Sequence, residues 1–298
     1  MEKKVKKLKR VTPFDVFNVS WMVLFSVYCL IPLGIILSAS FSKGTDLDTY
    51  GYSLFPRHID FGAYKYIFSK NSVGGELLFR SYVNSVIVTG GGTALNLFLS
   101  AMIAFPLSKH DFDFKKFVTP LLLVTMLFSP GLVPTYILIT QYLDWDDTLW
   151  VLMIPQIGST FNIILLRTFF SDIPKEIGES AKMDGCSVFR EFLTITLPLS
   201  LPALATCSVL IALSYWNDWG TSLLYIDKNE TSLYTVQYLM VKLQDQIDQM
   251  KNLGQLKEDN TTPQLMALCI IGTLPILFVF LYLQKYIVQG MTVGAVKG

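Results

Sequence analysis

The chain has 298 residues, of which 52% are hydrophobic and 16% are charged, and its mean hydropathy is +0.46. This composition is too apolar for an ordinary soluble domain and is typical of a protein that lies in a lipid bilayer. A formal net charge of +1 gives no basic surface for nucleic acid, and the two histidines, His58 and His110, stand too far apart to suggest a metal site, so we expect no cofactor.

Residues 1–15 form a basic N-terminal segment ahead of the first apolar stretch. Its cations are Lys3, Lys4, Lys6, Lys7, Lys9 and Arg10. A cationic start before an apolar run is also found in signal peptides, but no small-residue cleavage site follows a short core here. We therefore predict that the first apolar stretch is retained as a membrane span.

Six apolar stretches have about the 20 residues that a helix needs to cross the hydrocarbon core. They are residues 16–38, 83–107, 117–140, 149–170, 203–226 and 265–287. They predict an all-α membrane protein whose permease domain covers residues 16–290, with a loop at 171–202 and a tail at 291–298. Full charges inside the spans are rare, and Arg167 and Asp218 are the exceptions that we single out as functional leads.

The distribution of lysine and arginine predicts the orientation, because cationic loops are retained in the cytoplasm. Fifteen of the 24 basic residues fall on the side that holds both termini and the loop at 171–202. The opposite side includes the short acidic loop at 141–148. We expect both termini in the cytoplasm of a bacterium and the protein in its plasma membrane.

Small and polar residues predict where the helices touch, since lipid gives helices no hydrophobic reason to associate. Gly92, Asn96, Ser100 and Ala104 recur at every fourth position of the second span, and we interpret them as a packing seam. The prolines that can kink spans three, four and six are Pro120, Pro130, Pro134, Pro155 and Pro275.

The loop at 171–202 predicts a short helix with a defined start and end. Ser171 or Asp172 can cap its first amides, Pro174 fits the first turn, and Gly185 supplies the left-handed residue that ends it. Ser180 and Ala181 give a low surface for close docking on another protein. Glu179 and Asp184 offer charged contacts at its edge.

This loop resembles that of the permease subunits of binding-protein-dependent ABC importers. Their pattern of Glu-Ala-Ala, three residues and Gly reads here Glu179, Ser180, Ala181 and then Gly185, and the later Ile-x-Leu-Pro reads Ile195 to Pro198. The likeness extends over most of the chain and is greatest to the maltose-type carbohydrate permeases of the complex-sugar branch. Supporting stretches lie at residues 84–85, 104–108, 134–136, 166–170, 216–219 and 284–298.

The resemblance implies a set of partners. A coupling helix at Glu179, Ser180, Ala181, Asp184 and Gly185 would dock on a cytoplasmic ATPase that is present in two copies. A second, homologous permease subunit would complete the path, and an extracellular solute-binding lipoprotein would deliver the cargo. The chain itself has no Gly-rich phosphate loop and no catalytic motif, so we expect it not to be an enzyme. The tail at 291–298 either reaches the ATPase or is a frayed end.

The cargo follows from the resemblance and from side chains that can stack on or hydrogen-bond to sugar rings. The candidates are Tyr136, Gln156, Asn162, Tyr215, Trp216 and Asn217. An importer of peptides or modified amino acids remains open, as does a secondary carrier. The polar loop at 227–263 contains an amphipathic stretch near 236–253 and either caps the outer mouth, receives an external partner or is solvated.

Overall fold

The structure is a computed structural model that describes residues 12–68, 75–227, 231–252 and 261–295. Every regular element in these ranges is a helix. The helices are α1 (Pro13–Ser40), α2 (Gly44–Tyr50), α3 (Gly62–Phe68), α4 (Gly75–Ser108), α5 (Lys115–Leu127), α6 (Leu132–Ile137), α7 (Leu149–Met153), α8 (Thr160–Ser171), α9 (Lys175–Met183), α10 (Val188–Glu191), α11 (Leu197–Leu199), α12 (Leu201–Trp216), α13 (Gly220–Tyr225), α14 (Val236–Asn252) and α15 (Thr261–Ala295).

Four further helical turns complete the fold. They are π-helical at Leu138–Tyr142 after α6 and at Phe192–Thr196 after α10, and 3₁₀ at Ile154–Gln156 after α7 and at Thr231–Leu233 before α14. The predicted amphipathic stretch is therefore the helix α14. The basic residues 3–10 and the last three residues of the tail, 296–298, lie outside the described residues.

Three helices, α1, α4 and α15, are long and apolar enough to cross a membrane unaided, and three bent pairs raise the number of crossings to as many as 6. The pairs bend by 107° between α5 and α6, by 54° between α7 and α8, and by 83° between α11 and α12. Five of the six predicted stretches fall on these elements, whereas the fifth, 203–226, covers α12 and α13 and the bent pair there runs from Val188 to Trp216. The last helix continues to Ala295, beyond the predicted end at 287.

Backbone chemistry explains two of the bends. Pro130 and Gly131 lie in the 107° bend, where Gly131 has a φ of +86°, and Pro155 and Gly158, with a φ of +79°, flank the 54° bend. Proline removes a backbone donor, and glycine accepts the left-handed conformation that turns the chain. The prolines predicted to kink at Pro120 and Pro275 lie inside the continuous helices α5 and α15.

Contacts divide the chain into two units, the first of which contains residues 1–72 and 247–271. In its described part, the Phe41 ring lies 4.9 Å from that of Tyr64 and 5.5 Å from that of Phe61, centroid to centroid. The hydroxyls of Ser40 and Tyr64 share a hydrogen bond of 2.9 Å. These contacts fix α3 against the end of α1.

The second unit, residues 73–246 and 272–298, contains α4 packed against α8 and α12. Its buried core consists of Ala101, Ala104, Phe105, Leu107, Ile163, Leu166, Phe170, Phe192 and Cys207. The packing seam predicted in the second span is confirmed, since all four of its residues are buried. A Cβ at Gly92 would lie 2.7 Å from the Tyr215 ring, so glycine lets α4 and α12 approach closely.

Candidate functional site

The helix α9 ends as the sequence predicts. Gly185 adopts a φ of +72°, its amide donates to the Lys182 carbonyl at 3.1 Å, and the Cys186 amide donates to the Ala181 carbonyl at 2.9 Å. This pair of bonds is a Schellman motif, which satisfies the last carbonyls of a helix through a left-handed residue. The end of α9 is therefore fixed by Gly185.

The start of α9 differs from the prediction. Its N-cap is Pro174, and no side chain caps its amides. Ser171 lies in the last turn of α8, where its hydroxyl donates to the Arg167 carbonyl at 2.9 Å, and Asp172 is the C-cap of that helix. The capping role predicted for Ser171 or Asp172 is wrong because α8 extends further than its apolar pattern indicates.

The exposed side of α9 carries most of the residues that the sequence selects. Glu179, Ser180, Asp184 and Gly185 are exposed. Ala181 is only 8% exposed, so it packs inward and does not contribute to that surface. The exposed residues thus combine Glu179 and Ser180 on α9 with Asp184 and Gly185 directly after its last residue, Met183.

Beneath α9 lies an ion pair that the sequence did not indicate, between a buried carboxylate and a partly exposed ammonium group. Glu191, at 2% exposure, accepts a hydrogen bond from the Lys109 ammonium group, which lies just beyond the end of α4. The same ammonium is 4.8 Å from the centroid of the Phe105 ring. A Cβ at Gly178 of α9 would lie 2.9 Å from the Glu191 carboxylate, so the α9 backbone packs directly against the pair.

An open cleft of about 610 Å³ adjoins this ion pair, between α9 and the loop that follows α4. Lys182 and Asp111 face each other across it, with 3.7 Å between Nζ and Oδ2, and both side chains are largely exposed. An exposed pair of this kind adds little stability. Of the two ion pairs beside α9, that of Lys109 and Glu191 has the less exposed partners.

A second polar group lies at the break between α7 and α8. The Asn96 amide donates to the Gln156 carbonyl at 2.9 Å, and the Asn96 side-chain oxygen accepts from the Gly158 amide at 3.4 Å and from the Ser100 hydroxyl at 3.0 Å. A broken helix leaves backbone groups that lipid cannot satisfy. One buried asparagine, 3% exposed, provides partners for both sides of the break.

The Gln156 side chain connects this break to the end of α12. It donates to the Asp218 carboxylate, and its oxygen accepts from the Ser214 hydroxyl at 3.3 Å. Asp218 also accepts from the Thr221 hydroxyl at 2.5 Å and amide at 3.0 Å. Asp218, which the sequence singled out as a charge inside a span, therefore lies in the turn between α12 and α13 and accepts three hydrogen bonds.

A cavity of about 400 Å³ opens beside this network. Its lining is formed by Asn96, Gln156, Ser159, Phe161, Asn162, Leu210, Ile211, Ser214 and Tyr215. The lining includes amide and hydroxyl groups and the rings of Phe161 and Tyr215. Such a lining can hydrogen-bond to and stack on a polar, uncharged ring.

Three of the six predicted pathway residues, Gln156, Asn162 and Tyr215, line this cavity, and the other three lie elsewhere. Tyr136 stacks on Tyr225 with 5.8 Å between ring centroids. The buried Trp216 indole donates to the Gly272 carbonyl at 3.2 Å. The sixth residue, Asn217, is exposed.

The opposite end of α4 holds the segment that precedes α14. The Asn84 amide donates to the carbonyls of Ser232 and Tyr234 at 2.7 and 3.1 Å, and the Ser85 hydroxyl accepts from the Val236 amide at 2.8 Å. The sequence places Asn84 and Ser85 among the family-like stretches without indicating this role. The segment is fixed to α4 by three hydrogen bonds.

The family model of the binding-protein-dependent transport system inner membrane component matches residues 93–293. Among similar proteins is a polygalacturonan/rhamnogalacturonan transport system permease protein of Bacillus subtilis, 34% identical over 96% of this chain and 98% of the relative. Another, an arabinooligosaccharides transport system permease protein of the same organism, is 28% identical over 98% of this chain and 100% of the relative.

A solved structure also matches. It is the crystal structure of a bacterial ABC transporter involved in the import of the acidic polysaccharide alginate, with a TM-score of 0.78 and 26% identity. The match covers 94% of this chain and 99% of the solved one. The likeness in sequence and the likeness in fold thus extend over nearly the same residues.

Proposed function

The chain belongs to the family of inner membrane components of binding-protein-dependent transport systems, and we propose that it is the permease subunit of an importer for oligosaccharides. Membership makes it a multi-pass protein of the bacterial plasma membrane. The observation that carries the carbohydrate assignment is the match to a polygalacturonan/rhamnogalacturonan transport system permease protein along 96% of the chain. The match to the alginate importer supports the same assignment.

The cavity between α4, α8 and α12 supports a sugar cargo. Asn162 and Gln156 offer amides, Ser159 and Ser214 offer hydroxyls, and the Tyr215 ring adds an aromatic face. Sugars present hydroxyls that pair with amides and C–H faces that stack on rings. In this proposal Gln156, Asn162 and Tyr215 contact the cargo, whereas Tyr136, Trp216 and Asn217 do not.

The energy comes from two copies of a separate cytoplasmic ATPase. In this proposal α9 is the coupling helix, both termini lie in the cytoplasm, and the exposed residues Glu179, Ser180, Asp184 and Gly185 contact the ATPase. The Schellman motif at Gly185 supports this role because a helix with a fixed end transmits displacement better than a frayed one. A second permease subunit and an extracellular solute-binding lipoprotein complete the importer.

Uptake by cells tests the cargo. A strain that lacks only this chain should lose uptake of labelled oligosaccharides from a panel of pectin and arabinan fragments, while uptake of labelled peptides stays unchanged. In the complemented strain, Asn162→Leu should lower sugar uptake more than Asn217→Ala, since only the first residue lines the cavity. Unchanged sugar uptake across the panel would reject the carbohydrate assignment, and lost peptide uptake would favour the alternative cargo.

A further inference from the structure

We infer that Lys109 and the buried Glu191 form a positioning pair. Through this pair, α4 carries the motion of α9 to the cargo cavity, in addition to the chain that follows α9. The inference rests on the proposed function, since it assumes that α9 is moved by an ATPase. The family pattern quoted above includes neither Lys109 nor Glu191, so their role in coupling is additional to it.

The first step concerns the burial of Glu191. A carboxylate at 2% exposure is tolerated when a cation pairs with it, and Lys109 provides that cation while remaining 37% exposed in its side chain. The pair joins the end of α10 to the residue after α4, positions that are 82 residues apart in sequence. Two separate elements are therefore held together by one strong contact.

The second step concerns Gly178 in the middle of α9. A Cβ there would lie 2.9 Å from the Glu191 Oε1 and 3.4 Å from the Lys109 Nζ, so α9 rests on the pair with no side chain between them. A displacement of α9 toward the membrane must therefore move the pair, and the pair moves the end of α4. Van der Waals contact of this kind is stiff because packed atoms compress little.

The third step follows α4 away from the pair. Phe105 packs on Phe192 with 5.2 Å between centroids, Asn96 holds the break beside the cavity, and Asn84 holds the segment before α14. One continuous helix of 34 residues thus contacts α9, the cavity and the opposite end of this unit. A helix of that length spans about 50 Å.

The competing route follows the chain from α10 through α11 into α12. It bends by 83° at Ser200, between Leu199 and Leu201. A displacement that enters a sharp bend can be absorbed by a change in the angle. The route through α4 follows one helix that continues through Pro106 in its last turn, and no bend of more than 40° interrupts it.

The test uses the complete importer with its ATPase, partner permease and binding protein in proteoliposomes, and it measures ATP hydrolysed per cargo molecule imported. Glu191→Gln keeps the shape and removes the charge. We expect the ratio to rise by about fivefold or more, which is the lower end of typical coupling effects, while the ATPase still co-purifies. The swap Lys109→Glu with Glu191→Lys should return the ratio toward that of the parent.

The matched control is an ion pair on the same helix that is exposed. On α4, the Glu76 Oε1 lies 3.9 Å from the Arg80 Nη2. Glu76→Gln should leave the ratio of ATP hydrolysed to cargo imported unchanged. A parental ratio in Glu191→Gln would overturn the inference. If Glu191→Gln fails to assemble, the swap decides, because a swap that assembles but stays uncoupled overturns the inference and a coupled swap supports it.

The parent importer separates this inference from the proposed function. If the parent shows no ATP-dependent uptake and retains no ATPase, the proposed function is wrong. If the parent imports cargo and the ratio is insensitive to both variants, only the role of the ion pair is wrong.

Discussion

The end and the middle of α4 are held by different chemistry, and the difference follows from their surroundings. At the end of α4, Lys109 and Glu191 use full charges, and one partner keeps contact with solvent. In its middle, Asn96 is 3% exposed and its uncharged amide pairs with backbone groups at the break. A charge is stable where one partner reaches water, whereas a neutral amide can satisfy broken backbone at a buried position.

The largest loss of stability is expected when the cation of the ion pair at the end of α4 is removed. In Lys109→Met the carboxylate of Glu191 is left buried without its partner, and loss of one member of a buried pair costs about 3 kcal/mol. Thermal unfolding of the purified complex in detergent should occur at a clearly lower temperature than in the parent. Equal unfolding temperatures for Lys109→Met and Glu76→Gln would contradict the account of a buried pair.

Removing the Asn96 amide in the middle of α4 should lower the stability by a smaller amount. Asn96→Leu leaves the Gln156 carbonyl and the Gly158 amide without their side-chain partner, at a cost of about 2 kcal/mol. The same unfolding measurement tests it, together with cargo uptake. Ser100→Ala is the matched control, since it removes a single neutral hydrogen bond and should cost about 1 kcal/mol or less.

Adding a methyl group at the seam tests the packing of α4 against α12, because the change leaves every polar group in place. In Gly92→Ala the new Cβ meets the Tyr215 ring at 2.7 Å, and overpacking of this kind costs about 1 to 2 kcal/mol. Gly90→Ala, which has nothing within 4 Å of its Cβ, should be neutral or slightly stabilising. Equal stability of the two variants would show that the seam is looser than described.

The smallest effect is expected where α4 holds the segment before α14. Asn84→Ala removes two hydrogen bonds to the carbonyls of Ser232 and Tyr234 and should cost about 1 kcal/mol. Its main result should be local, with faster amide hydrogen exchange at residues 231–239 and unchanged exchange in α8. Unchanged exchange at 231–239 would show that other contacts hold the segment.

The sequence predicted the features that depend on neighbouring residues. The six apolar stretches fall on the observed helices, Gly185 ends α9, and the spacing of Gly92, Asn96, Ser100 and Ala104 marks a buried seam. Local propensity and helical period are enough for these because each acts within a few residues. The amphipathic pattern that became α14 belongs to the same group.

Features that join distant residues could not be predicted. Glu191 stands between Arg190 and Phe192, where no neighbouring residue indicates its partner, because that partner lies in another loop. Pro155 predicted a kink in the fourth span, but the 54° size of the bend could not be predicted, because hydropathy over a window does not respond to the direction of the chain. Asn96 was recognised as part of a seam, but its two backbone partners in the fourth span were not.

The most direct test of the central claim asks which protein the exposed side of α9 touches in living cells. A photo-crosslinking amino acid at Ser180 should form a product with an ATP-hydrolysing protein, while the same substitution at Arg80, exposed near the start of α4, should not. We predict that this product forms on the cytoplasmic side of the membrane. Crosslinking to the ATPase from Arg80 and not from Ser180, or labelling of Ser180 by a reagent that cannot cross the membrane, would contradict the account.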